Sequence, residues 1–252
     1  MIKSLVVAAF SLAAMPGTLA AQASGHWPPD SLINVKVIPR NTPVIQVVGM
    51  MRNIAGALGV RCQFCHVGEE GMPLAQFDFP KDEKRTKLVA RQMMRMVEEI
   101  NRRLDTLPEH DHNALNLQVT CATCHRGVSR PMPLATLMET TAGSAGPDSA
   151  IRVYRALRER YYGRDAYDFG EPSLSIAAFR LGRAGKYDAA FALLRLNEEL
   201  FPNSSAMYVF RGNITLMRGD TTAAAAAFRE AIRRDPTNEE AKGRLRTIGR
   251  QP

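Results

Sequence analysis

Two copies of one short pattern constrain this 252-residue chain more than any other feature. Residues 62–66 are CQFCH and residues 121–125 are CATCH, and together they contain all four cysteines. In both copies two residues separate the cysteines, and a histidine directly follows the second one. This arrangement is typical of the covalent attachment of a c-type haem.

The chemistry of attachment explains why both residue types occur at this spacing. Two such thiols can form thioethers with the vinyl groups of one haem, and the next histidine is then held beneath the ring, where it binds iron. We therefore predict two covalently bound c-type haems. The predicted thioether and proximal iron ligands are Cys62, Cys65 and His66 for one haem, and Cys121, Cys124 and His125 for the other.

Other uses of paired cysteines explain the pattern less well. Four thiolates can build a zinc site, but both following histidines would then have no role. A thioredoxin-like redox pair needs a βαβ context, which this sequence lacks. Disulfides across two-residue gaps are strained and close only a very short loop.

The sixth position of each iron distinguishes an electron carrier from an enzyme. A low-spin carrier fills this position with methionine or histidine, whereas a haem enzyme leaves it open. Methionines precede both patterns, although methionines also serve as ordinary core packing. His110 and His112 lie in a charged segment typical of a solvated loop, and His26 gives no sign of a role. The candidate methionines are Met50 and Met51 before the first pattern, and Met93, Met94 and Met96 before the second.

Apolar residues at helical spacing predict one helix before each pattern. The first helix begins at the Thr42-Pro43 pair and ends at Gly59, which are typical start and stop residues. The second extends from about residue 82 to 104, and the segments 67–81 and 106–118 have the composition of loops. The apolar faces are Val47, Met51, Ile54 and Leu58 on the first helix, and Val89, Met93, Met96, Val97 and Ile100 on the second.

The C-terminal part of the chain contains an internal repeat with an offset of 34 residues. A period of this length, with small residues where helices cross, resembles the tetratricopeptide repeat, in which each unit is a helical hairpin. Helices at about 149–161 and 239–248 are predicted to cap the stack, and a generic helical bundle is the alternative. The matched pairs are Gly185 with Gly219, Ala190 with Ala224, Leu194 with Phe228, and Pro202 with Pro236.

These patterns predict an all-α protein in which helix–turn–CxxCH units precede a helical repeat region. The predicted divisions are a signal peptide at 1–20, a dihaem cytochrome c domain at 21–138, a linker at 139–149 and a tetratricopeptide-like domain at 150–252.

The first residues have the features of a secretory signal. Lys3 gives a positive start, an apolar run extends from Leu5 to Met15, and small residues follow. Cleavage is predicted after Ala20 or Ala23, because the apolar run is too short to cross a bilayer comfortably; retention as an anchor is the alternative. We therefore predict a periplasmic protein, either soluble or bound peripherally to the outer face of the cytoplasmic membrane.

The charge balance limits the classes of partner. The formal net charge is +8 and the pI is about 9.6, which suits an acidic protein partner or anionic lipid. The arginines are spread along the chain and no nucleic-acid motif is present, so we do not expect a nucleic-acid partner.

Three stretches resemble the cytochrome subunit of photosynthetic reaction centres. They are MMRNIAGALGVRCQFCH, VARQMMRMVEEIN and VTCATCHRG, and the resemblance spans residues 33–134. It implies electron transfer, with redox proteins or a membrane complex such as a reaction centre as partners. That family carries two pairs of haems, whereas this chain has the patterns for one pair.

The resemblance also implies that a methionine in the helix before each pattern is the distal iron ligand. The matching positions are Met51 and Met93, and Met50 and Met94 are the nearest rivals. A one-residue shift would turn the side chain by about 100° around the helix.

The leading prediction is an exported dihaem cytochrome c that carries single electrons and is not an enzyme. One alternative is a dihaem enzyme of the peroxidase type, which requires an open iron site. Another is a redox-sensing or assembly scaffold that acts through its repeat domain.

Overall fold

The computed structural model describes residues 26–106 and 118–249, and within these ranges the chain is helical without β-strands. This confirms the predicted all-α class. In the described ranges, no helix combines the length and the apolar character that a membrane span needs. The predicted signal peptide, His110 and His112 lie outside the described residues. The helices are α1 (Val44–Leu58), α2 (Arg85–Leu104), α3 (Cys121–His125), α4 (Leu134–Ala145), α5 (Pro147–Tyr161), α6 (Glu171–Arg183), α7 (Tyr187–Leu200), α8 (Ser205–Met217), α9 (Thr221–Arg234) and α10 (Glu239–Ile248).

Both helices predicted before the cysteine patterns are present. Helix α1 starts directly after Pro43, whose carbonyl accepts hydrogen bonds from the Gln46 and Val47 amides, at 3.0 and 3.2 Å. It ends before Gly59, which has a φ of +65°. Helix α2 begins at Arg85, three residues later than predicted, because the carboxylate of Asp82 forms ion pairs with cations farther along α2 instead of capping a helix.

The chain packs as two compact units. The first contains α1 as far as Ala55 and the segment Arg61–Gln118, which includes α2; the second contains Gly56–Val60 and everything from Val119 onward. The first cysteine pattern therefore belongs to the first unit and the second pattern to the second unit. The predicted division into a cytochrome domain that ends at residue 138 and a repeat domain that begins at residue 150 stays a prediction.

The segment predicted as a linker, residues 139–149, is helical. Helix α4 covers its first part and α5 its last, and only Gly146, with a φ of +86°, separates the two helices. The threonine, alanine and glycine content suggested a loop, but Met138 and Ala142 are buried in the core of the second unit. Burial of this apolar stripe outweighs the weak helix propensity of its neighbours.

Helices α6 to α9 repeat with the predicted period. The bounds of α8 and α9 are those of α6 and α7 shifted by 34 residues, and α10 begins 34 residues after α8. Gly185 and Gly219, which end α6 and α8, both have a positive φ, at +72° and +89°. Leu194 and Phe228 occupy matching, fully buried positions. A helical repeat is thus present, while its assignment to the tetratricopeptide type stays a prediction.

The two units differ greatly in the size of their apolar cores. The second has a continuous core from α4 to α10. In the described part of the first unit, the buried apolar side chains are Ile38, Val47, Val48 and Phe77. The large apolar side chains exposed in that unit are Ile33, Ile45, Met50, Phe64, Leu88, Val89, Met93 and Met96.

Within the second unit, the turn after α1 interlocks with the turn after the second cysteine pattern. The Gly127 amide donates to the carbonyl of Ala57 at 2.8 Å. A Cβ atom on Gly59 would lie 2.0 Å from the Gly127 oxygen, so only glycine permits this approach. The interlock fixes the backbone that follows His125.

We expect Gly59→Ala to destabilise the protein strongly, because a methyl group there collides with the backbone and the φ is positive. Gly71→Ala is the matched control: its φ is +83°, but a Cβ atom added there would have no neighbour within 4 Å. The free energy of unfolding of the control should fall by only about 1–2 kcal/mol, the cost of a left-handed backbone conformation at a residue other than glycine. Thermal unfolding of both variants tests this, and equal losses would argue against the interlock.

Gly212→Ala should destabilise the repeat region by about 1–3 kcal/mol, the usual cost of overpacking. Its Cβ would lie 2.5 Å from the Phe228 ring, where α8 crosses α9. Gly243→Ala on α10 is the contrasting case, because the atom nearest to its added Cβ would be 3.8 Å away. This substitution should stabilise the protein by about 0.5–1 kcal/mol. Denaturant midpoints measure both changes, and a Gly212 variant as stable as wild type would contradict the close crossing.

Candidate functional site

The first cysteine pattern forms one tight turn. Residues Cys62–Phe64 make a 3-10 turn, and the carbonyl of Cys62 accepts from the amides of Cys65 and His66, at 3.2 and 2.9 Å. Both cysteines are free thiols and half-buried, and burial raises the pKa of the Cys65 thiol. The turn therefore holds two cysteines that form no disulfide, and the histidine, within five residues.

The second pattern forms the short helix α3. Thr120 and Thr123 make a reciprocal capping box at its start, with the Thr120 amide donating to the Thr123 hydroxyl at 2.9 Å. The helix ends at Arg126 and Gly127, which have φ values of +49° and +87°. Cys121 and Cys124 are also free thiols.

Both histidines make the same type of hydrogen bond. Nδ1 of His66 lies 3.3 Å from the carbonyl oxygen of Phe79, and Nδ1 of His125 lies 2.9 Å from that of Val128. Because a carbonyl oxygen only accepts, Nδ1 is the donor in this contact, and in the neutral ring Nε2 then keeps its lone pair. This is the arrangement that orients histidines as metal ligands.

The environment of His66 also keeps its ring neutral. Burial lowers the pKa of His66, and the nearby positive charge of Lys87 lowers it further. A neutral imidazole retains the lone pair that a metal ligand needs. Neither carbonyl partner has a signal in the sequence; Phe79, for example, lies 13 residues beyond His66.

A part-buried ion-pair network holds the loop that carries the Phe79 carbonyl. The Lys87 ammonium donates to the carbonyls of Phe79, Pro80 and Lys81, at 2.8, 2.9 and 2.7 Å, and pairs with Asp82 at 2.8 Å. Its side chain is only 11% exposed. Lys87 therefore ties the loop to α2 at four points.

Arg91 and Asn34 close the network. Arg91 donates to Asp82 at 2.8 Å and to the Asn34 carbonyl at 2.9 Å, and the Asn34 amide donates to Pro80 at 2.6 Å. Hydrogen bonds from Arg91 and then Lys87 hold the pKa of Asp82 well below its usual range. The carboxylate therefore stays charged at neutral pH.

Helix α1 presents its two candidate methionines differently. Val47 and Val48 are its buried residues, and Met51 lies about 40° and 60° from them around the helix. Met50 lies about 160° from Val48 and is 38% exposed. Met51 therefore lies on the inner face of α1, as the predicted apolar face requires.

Helix α2 also separates its two candidates, but here the favoured methionine, Met93, lies on the exposed face. Met94 lies about 20° from the buried Lys87, on the face that carries the ion-pair network. Met93 lies about 40° from Val89 and 20° from Ile100, in the predicted apolar stripe. Met93, Met96 and Val89 are exposed, so this face of α2 is apolar and not covered by the described residues.

These observations fit a large planar apolar group held by thioether bonds. The first unit offers free thiols, an oriented imidazole and an uncovered apolar helix face, and it has few buried apolar side chains among its described residues. A porphyrin would supply additional apolar surface to this unit, whereas a bare metal ion would not. Within the two described ranges, no three side chains among His, Cys, Asp and Glu come together as a metal-ion site.

His26 pairs with Asp30 at 3.0 Å on the surface. In the second unit, a cleft of about 640 Å³ borders the second pattern and is lined by Thr123, Arg126, Arg164 and Tyr167, among others. No sequence pattern indicated this cleft, because its far wall is the irregular segment between α5 and α6.

Comparison with known proteins supports the resemblance that the motifs suggest. Residues 68–150 match the family model described as photosynthetic reaction centre cytochrome C subunit. This segment contains α2 and the second cysteine pattern, and it begins two residues after His66.

A curated relative, cytochrome c-554 from Chloroflexus aurantiacus (strain ATCC 29366 / DSM 635 / J-10-fl), is 34% identical over 110 residues. The match covers 43% of this chain but only 23% of the relative, so the chain spans less than a quarter of that protein's length. The family predicted from the sequence, the photosynthetic reaction centre cytochrome C subunit, is thus confirmed for residues 68–150.

Proposed function

We propose that this chain is an exported c-type dihaem cytochrome that carries single electrons. The observation that carries the proposal is the shared state of the two CxxCH histidines. Each donates its Nδ1 proton to a backbone carbonyl and so presents Nε2 as a ligand beside two free thiols. The likeness to reaction-centre cytochromes and to a cytochrome c-554 supports the same function.

Each pattern would hold one haem, whose iron supplies one-electron chemistry when bound. Cys62 and Cys65 would form the thioethers of the first haem, with His66 as proximal ligand. Cys121, Cys124 and His125 would do the same for the second. The imidazoles are already oriented by their carbonyl partners, so binding would require little rearrangement of the rings.

Met51 and Met93 would provide the distal ligands. A thioether sulfur stabilises the reduced state of iron and raises its potential. Protein ligands on both sides of the ring would also leave no position for a small substrate, which favours a carrier over an enzyme. The inner position of Met51 on α1 and the apolar face around Met93 on α2 support these assignments.

The partners in this proposal are redox proteins, including a membrane electron-transfer or reaction-centre complex. The proposed location is the periplasm, with peripheral association at the outer face of the cytoplasmic membrane. The positive net charge suits an acidic protein surface or anionic lipid. Stacked helical hairpins such as α6–α9 commonly provide protein-binding surfaces.

Pyridine haemochrome analysis of the exported protein should give two haems per chain. Cys62→Ala with Cys65→Ala should leave one haem, and so should Cys121→Ala with Cys124→Ala, because each pair attaches its own ring. An exported wild-type protein without haem would overturn the proposal. High-spin ferric iron that binds cyanide rapidly would favour a peroxidase-type enzyme instead.

Met93→Leu should abolish the near-infrared methionine-to-ferric-iron band of one haem and lower its potential, because a thioether ligand is lost. Met94→Leu is the matched control, one residue away and about 100° around the helix, and should retain both bands. Loss of a band in the Met94 variant and not in the Met93 variant would contradict the assignment.

A further inference from the structure

Lys87 occupies an unusual position for a lysine. Its side chain is 11% exposed, and its ammonium contacts three consecutive carbonyls and one carboxylate within 3 Å. A lysine is seldom buried to this extent unless its charge is paired. Asp82 provides the pairing but is itself shared with Arg91, so the three groups together carry one net positive charge.

The Phe79 carbonyl connects this charge to the histidine. Its oxygen accepts from Lys87 Nζ at 2.8 Å and lies 3.3 Å from Nδ1 of His66. The Phe79 ring also contacts the His66 ring edge-on, with centroids 4.9 Å apart. Lys84 and Arg91 are also cations near His66, but the hydrogen bonds that they donate go to Gln63, Asp82 and Asn34.

Two physical effects of Lys87 act in the same direction. Gain of one electron lowers the positive charge at the iron without breaking a bond or moving a proton, so a nearby cation favours the reduced state. The ammonium also draws electron density from the Phe79 oxygen, which makes that oxygen a weaker acceptor for the His66 proton. The imidazole then donates less density to the metal, which again favours reduction.

We propose that Lys87 is a positioning and electrostatic residue that raises the reduction potential of the haem ligated by His66. It does so through the carbonyl of Phe79, while Asp82 partly offsets its charge. This inference rests on the proposed attachment of haem at the first cysteine pattern. It adds a residue that the attachment motif does not contain.

The test is a spectroelectrochemical titration of the full-length haem-loaded protein and its variants. The wave of the first haem is identified as the one missing from the Cys62→Ala/Cys65→Ala variant. Lys87→Met should shift the one-electron reduction equilibrium of that haem by about tenfold towards the oxidised form, equivalent to 59 mV. The wave of the second haem should stay in place.

Asp82→Asn distinguishes an electrostatic role from a merely structural one. It removes a negative charge from the same network, so the potential of the first haem should rise. Disorder of the loop would admit water and lower the potential in both variants. Lys81→Met is the control for loss of a positive charge, because the Lys81 side chain is 52% exposed and solvent screens its charge. The potential of the first haem should shift much less in this variant than in Lys87→Met.

Opposite shifts in the Lys87 and Asp82 variants support the inference. An unchanged potential in Lys87→Met, or lowered potentials in both variants, overturns it. If Lys87→Met does not fold, the Asp82→Asn result decides alone: a rise supports the inference, and no change or a fall overturns it. A wild-type protein that carries no haem would instead overturn the proposed function.

Discussion

The constraint on which the rest of the first unit depends is its shortage of buried apolar surface. In its described residues, only Ile38, Val47, Val48 and Phe77 form a core, while the apolar face of α2 is exposed. Small domains with so little core are usually stabilised by something besides side-chain packing, such as disulfides or a bound metal group. Covalently attached haem would bring apolar surface to the first unit. Its bonds would also tie two thiols and a histidine together.

The two units reach the same histidine arrangement by different means. In the second unit, Val128 lies three residues after His125, and the Gly59–Gly127 interlock fixes the intervening turn. In the first unit the acceptor lies 13 residues away, and the Lys87 network holds it. The carbonyl partner of His66 is therefore held by the charged Lys87 side chain, whereas the carbonyl partner of His125 is held by a local turn. The two sites thus have different electrostatic surroundings.

Local patterns predicted much of this fold because local physical chemistry determines it. The start of α1 directly after Pro43, its end before Gly59 and the 34-residue period of α6–α9 all follow from residue types that favour one backbone conformation. The cysteine patterns specified the candidate haem ligands because residue type and local spacing alone define the attachment motif. Of the two candidate methionines, Met51 lies towards the buried valines of α1, whereas Met93 lies on an exposed face of α2, so their role as iron ligands stays a prediction.

Long-range packing accounts for what the sequence did not reveal. Residues 139–149 have loop-like composition but are helical, because neighbouring helices bury Met138 and Ala142. Neither the role of the Phe79 carbonyl nor the burial of Lys87 has a signature in the chain, since both depend on how a loop folds back onto α2.

Hydrogen–deuterium exchange provides the most direct measurement of whether haem completes the first unit. The protein is compared after export from hosts with and without the machinery that attaches haem. The account predicts that amides in α1 and α2 are protected only when haem is attached, whereas α6–α9 are protected in both samples. Equal protection of α2 without haem would contradict it, because the polypeptide alone would then stabilise that unit.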